Sequence, residues 1–149
     1  KTDAIFRVFN TDRYDDRDVI ITNLFDSYDR MTAFGEKHLN DLFVMDGMQS
    51  ISARDKILRE IISNSLAHRD YSNAYVAKLV IERERIFTEN SNRSHGYGSL
   101  DVATFEPFPK NSAISKVFRE VGLADPQLPF LHTYSSYHII YYIYLLVAY

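Results

Sequence analysis

The chain has 149 residues, 46% hydrophobic and 25% charged, with a net charge of −3. That length suits one domain and that balance suits an ordinary globular fold, while the absence of cysteine excludes disulfides, thiolate metal centres and cysteine nucleophiles. Seventeen basic residues against twenty acidic ones leave no excess positive charge for broad contact with a phosphate backbone.

Lys1 is not preceded by a methionine, and the chain is expected to be a piece of a longer protein. The first residues alternate charged and apolar types, unlike a signal peptide, so a cytoplasmic setting is expected. Ala4 to Phe9 reads as a strand. Asp12 to Asp18 is dense in Asp and Arg and reads as a solvated loop, since it lacks the central Gly and the twelfth-position Glu of an EF-hand. Thr22 or Asn23 can cap a helix in which Leu24, Tyr28, Met31 and Phe34 recur at three- and four-residue steps, with Gly35 a local weak point. Leu42 to Met48 reads as extended.

Ser52, followed three residues later by Asp55, is a capping-box-like start for a central helix running to about His68. Ile57, Leu58, Ile61, Ile62 and Leu66 form its apolar arc. Glu60 and Asn64 lie four residues apart, about 40° around the axis, on the border of that arc. A carboxylate and an amide held there can orient a water or meet a hydrated cation such as magnesium. They can equally be a solvated flank of the helix. His68, Arg69, Asp70 and Tyr71 can likewise be a C-terminal cap favoured by the helix dipole.

Tyr75 to Ile81 and Arg85 to Thr88 are β-rich and joined by Glu82, Arg83 and Glu84, which predicts a hairpin. Asn90 to Gly98 reads as a polar turn, and Pro107 and Pro109 end any regular element. Asn111 can cap a helix from Ala113 to Val121, with Gly122 at its C′ position. After Asp125 no Asp, Glu, Lys or Arg occurs, and Ile139 to Tyr149 is an unbroken apolar and aromatic run. It is too short for a membrane span, which needs roughly 20 residues. A buried or interface strand is expected, pairing with its own sheet or with a second chain as a homodimer contact.

The block Arg59-Glu60-Ile61-Ile62-Ser63-Asn64-Ser65-Leu66-Ala67-His68-Arg69-Asp70-Tyr71 resembles the signature of the RecG-like C-terminal ATPase-type module. The segment from Pro109 to Leu123 is similar to a second piece of that family, and the likeness runs from about Ala4 to about Leu123. The resemblance implies an α+β, GHKL-like two-layer sandwich with helices on one face of a mixed sheet. Residues 1–125 would be that module and 126–149 a tail outside it. It implies a domain of a transcriptional regulator whose nucleic-acid contact lies in another, AlbA-type or Schlafen-like domain. It implies ATP with magnesium as ligand, with Glu60 activating water and Asn64 contacting the metal. Arg69 and Lys110 would then face phosphate, with His68, Asp70 and Asn111 beside them.

The chain departs from the family in two places. Ser91-Asn92 stands where Pro-Gly usually follows Asn90, and Ala124 to Pro129 replaces a glycine-rich stretch that clasps phosphate. No Gly-x-x-x-x-Gly-Lys-Ser/Thr loop occurs, so the chain is not by itself a helicase motor. The expectation is a regulatory or interaction module with a weak or vestigial ATP/magnesium site and at most weak hydrolysis. The alternative is a purely structural domain without a ligand.

Overall fold

Thr2–Arg7 forms a strand, in which successive side chains take opposite faces, so Ala4 and Ile5 lie on opposite sides, and both are buried. This strand, β1, opens a computed structural model that describes residues 1–8, 13–83, 85–91, 110–124, 133–135 and 138–144. There follow β2 (Asp16–Ile20), α1 (Leu24–His38), β3 (Phe43–Asp46), β4 (Gln49–Ser52), α2 (Ala53–Ala67), β5 (Ala77–Glu82), β6 (Arg85–Ser91), α3 (Ser112–Glu120), β7 (Thr133–Ser135) and β8 (His138–Tyr144). The fold is α+β: a mixed sheet in the order β2-β1-β5-β6-β8-β7 packed with helices in a two-layer sandwich, plus a separate β3-β4 ribbon.

Among the described residues only β1 and β5 run parallel within the large sheet. A parallel pair needs a long crossover, and α1 and α2 lie in that crossover. Ala4, Leu79, Ile81 and Ile86 from the sheet meet Tyr28, Met31 and Phe34 of α1, Leu58, Ile61, Ile62 and Leu66 of α2, and Phe118 of α3. Ile5, Val80 and Phe87, opposite one another in register, form a smaller cluster on the other face. Ion pairs Arg17–Asp3, Arg7–Glu82, Arg85–Glu82 and Lys78–Glu89 flank that row.

Two of the three predicted N-caps form through their side chains. Asn23 Oδ1 accepts from Asp26 N at 2.9 Å, and Ser52 Oγ accepts from Asp55 N at 3.0 Å. The predicted hairpin is β5-β6, and Gly122 takes φ +73° after α3. Gly35 is more than a weak point: a Cβ there would collide with the methyls of Leu58, so glycine sets how closely α1 approaches α2.

One loop expectation is corrected. Asp16 to Asp18 belongs to β2, an edge strand paired with β1. Its acidic residues hid the strand pattern, and they are satisfied by α1: Asp18 pairs with Arg30, and Asp16 with Lys37 at 2.8 Å and His38 at 2.7 Å. The Lys37 and His38 hydrogen bonds pull the Asp16 carboxyl down to about 2.

The tail expectation is met on the chain's own sheet, where β8 pairs antiparallel with β6. Phe9, Asp12, Glu84, Asn92 to Gly98, Pro107, Pro109, Pro126, Pro129 and Leu145 to Tyr149 lie outside the described residues. Among the described residues no helix is long and apolar enough to cross a membrane.

Candidate functional site

The site residues named from the sequence fall into two groups along α2. In the middle of the helix, Asn64 is buried and Glu60 half-buried, as expected of the border of an apolar arc. Asn64 Nδ2 donates to Glu60 Oε1 at 2.5 Å. That bond fixes the rotamers of both groups and directs the amide oxygen away from the carboxylate. The pair therefore offers oxygen donors of the type that hard cations accept, with a carboxylate beside them. This donor chemistry is of the kind that suits a hard cation such as magnesium. Among the described residues no cluster of three His, Asp or Glu offers an alternative metal site.

The second group lies at the end of α2, beginning eight residues, about 12 Å along the axis, beyond Glu60. A helix leaves its last carbonyls without intrahelical partners. Here α2 ends on His68 with φ −102°, without a glycine in the left-handed region and without a basic residue in its last turn. Other side chains supply the missing donors. Asn90 Nδ2, from β6, donates to Ser65 O at 2.7 Å, and Ser65 Oγ returns a bond to Asn90 Oδ1 at 3.3 Å. Tyr71 Oη donates to Leu66 O at 2.8 Å. Asn111 donates from Nδ2 to Ala67 O at 2.9 Å and to Arg69 O at 2.8 Å, and from its backbone N to Ala67 O at 3.2 Å.

This corrects the role of Asn111 as a cap of the following helix. It occupies the N-cap position of α3, but its side chain makes no capping bond there. A carboxamide carries two N–H donors as well as an acceptor oxygen, and here its orientation is set by the donors, which both reach carbonyls at the end of α2. Asn111 thus joins the start of α3 to the end of α2.

Asp70 closes the turn. Its backbone N donates to Ser91 O at 3.1 Å, and its Oδ1 accepts from Ser72 N at 3.0 Å and Ser72 Oγ at 2.6 Å. His68 is buried, with its backbone N bonded to Asn64 O at 2.9 Å. Arg69 is 8% exposed and reaches back to β1, where Nη1 donates to Thr2 Oγ1 at 3.3 Å. Its guanidinium carbon lies 5.2 Å from the Tyr71 ring centroid. Among the described residues Arg69 has no carboxylate partner. The negative end of the α2 dipole and the face of Tyr71 supply its compensation. Burial pushes the Tyr71 hydroxyl up to about 12, against the opposing charge of Arg69. Lys110, half-buried, precedes Asn111.

Two members of this network were not singled out as site residues from the sequence. In the sequence Asn90 reads as the start of a turn and as a match to the family's Asn, and Ser63, whose Oγ donates to Leu123 O at 2.5 Å, as part of the family-like block. A buried Asn at the end of a strand is the signal that could have marked Asn90, but burial is not visible in a sequence.

No family model matches the chain, and no curated protein matches it. Among solved structures it is similar to the crystal structure of the DIP2311 protein from Corynebacterium diphtheriae, with a TM-score of 0.68 and 13% identity. The match covers 96% of this chain and 34% of the other, so the chain spans about a third of that protein's length. At this identity the likeness concerns the fold.

Proposed function

We propose that the chain is a regulatory or interaction module of a RecG-related transcriptional regulator, with a weak or vestigial site for ATP and magnesium at Glu60 and Asn64. The Glu60–Asn64 pair, joined at 2.5 Å on the border of the α2 core face, carries this reading. Asn64 is the magnesium contact and Glu60 the water-orienting group. The engagement of Asn111 in holding the end of α2 supports a weak site, because its amide cannot turn to phosphate without breaking bonds. Nucleic-acid contact is assigned to another domain of a longer protein, in keeping with the net charge of −3. Calorimetric titration with magnesium-ATP tests the site. Submillimolar binding that weakens at least tenfold in Asn64→Ala supports it; absent binding, or binding equal in both proteins, sinks it.

The carbonyl-capping network favours a second reading, a purely structural domain in which His68 to Tyr71 lock the end of α2 to β6. Stability separates the two. If Glu60→Ala and Asp70→Ala each cost more than about 2 kcal/mol without any ligand, both groups are architectural. If Asp70→Ala alone is costly, the fold does not depend on Glu60 and the ligand reading gains support.

A further inference from the structure

A guanidinium is a costly charge to bury, because it stays protonated and brings five N–H donors. Arg69, just past the end of α2, is only 8% exposed. Its Nη1 donates to Thr2 Oγ1 at 3.3 Å, a long bond to a neutral hydroxyl. The Tyr71 ring lies against the guanidinium, with its centroid 5.2 Å from the central carbon. The neighbouring carboxylates are engaged elsewhere: Asp3 pairs with Arg17, and Asp70 Oδ1 accepts from Ser72. The end of the α2 dipole carries only about half an elementary charge. An aromatic ring covers a face of the guanidinium and leaves its edge untouched.

That edge is the unused part of the side chain. Nε is sealed from water and has no acceptor, and among the described residues Nη2 has none either. Nε and Nη2 point their N–H bonds the same way. Together they form the side of a guanidinium that grips a carboxylate through two parallel bonds. We propose that this edge of Arg69 binds the carboxylate of a small acid. The ligand's two oxygens take the N–H bonds of Nε and Nη2 and supply the missing counter-charge. A flat carboxylate also suits the space beside the Tyr71 ring, which is 45% exposed and forms the outer wall. Two open donors match the two oxygens of a carboxylate, whereas a tetrahedral anion presents three or four oxygens to satisfy. A buried charge left alone is destabilising, and pairing relieves it, so the ligand stabilises the fold when it binds. Arg69 reaches towards Thr2 on β1, and the site rests on none of the magnesium-ATP reading at Glu60 and Asn64.

Titration of the full chain with sodium acetate up to about 200 mM, balanced with chloride to constant ionic strength, tests the site. EDTA is present and nucleotide absent, so failure here and failure of the magnesium-ATP site are separate results. The Arg69 Nε–H resonance, followed by nitrogen-15 NMR, moves along a saturating curve. The melting temperature rises by about 3 °C or more, as for a ligand well above its dissociation constant. Arg69→Lys keeps the charge but has no such edge, so its acetate rise is at least threefold smaller. Sulfate, which stabilises proteins through exclusion from their surfaces, raises both chains alike. An Arg69 resonance that acetate does not move overturns the proposal. So does an acetate rise that Arg69→Lys shares, or a sulfate rise that depends on Arg69, since a tetrahedral anion would then be the ligand.

Discussion

Asn111 ties the start of α3 to the end of α2. Its amide group donates to two carbonyls at the end of α2 that have no helical partner. Removing it leaves those acceptors under-satisfied at a packed helix end, at about 1–3 kcal/mol in total. Asn111→Ala is expected to lower the unfolding free energy by that amount, read as a lower urea midpoint at an unchanged denaturant slope. Asn111→Asp is expected to be at least as damaging, since a carboxylate cannot donate and faces carbonyl oxygens. Asp16 makes a different prediction. Its carboxyl lies at about 2, below its ordinary 3.8, because Lys37 and His38 bond to it. A depressed carboxyl contributes stability that is full above its ordinary value and is lost as pH falls through the folded value. The loss of stability between about pH 4 and pH 2 is therefore expected to be smaller in Asp16→Asn, as followed by thermal melts. Glu82 contributes with the same sign. Burial alone would raise it, but hydrogen bonds from Arg85 and Arg7 outweigh burial and hold it below its ordinary value.

At the scale of elements, the contact between α1 and α2 is set by one missing side chain. Gly35→Ala would favour helix formation by about 1 kcal/mol. It would also push a methyl group into Leu58, which is fully buried and cannot move aside freely. The expected outcome is a net loss of about 1–2 kcal/mol, relieved in part by a smaller residue at position 58; a stabilised Gly35→Ala protein would contradict the close packing. This pair also shows what the sequence could and could not convey. Caps at Asn23 and Ser52, the β5-β6 hairpin and Gly122 after α3 are local signals, written within a few residues of where they act. Gly35 read as a weak point because its reason, Leu58, lies on another helix. β2 was hidden because its acidic residues answer to Arg30, Lys37 and His38 of α1. The capping role of Asn111 was hidden because its acceptors, Ala67 and Arg69, are more than forty residues away. The Glu60–Asn64 contact was legible, since helical periodicity alone brings residues four apart together.

For the whole molecule, the sheet is continued past β6 by the charge-free tail, whose β8 strand pairs along the full length of β6. A chain ending at Asp125 would expose that edge. It is expected to melt lower and to aggregate sooner on sedimentation, and equal stability of the two chains would show that the tail is dispensable. The larger question is how the polar residues of α2 divide between holding the fold and meeting a ligand. Three carboxamides report on it: Asn64 beside Glu60, and Asn90 and Asn111 bonded to the end of α2. Their side-chain NH2 resonances, followed by two-dimensional NMR during titration with ATP in the presence and absence of magnesium, give the most direct test. The Asn64 resonances are expected to shift only when magnesium is present, while those of Asn90 and Asn111 stay in place. Unmoved Asn64 resonances at saturating magnesium-ATP, or movement of the Asn111 resonances instead, would contradict the division.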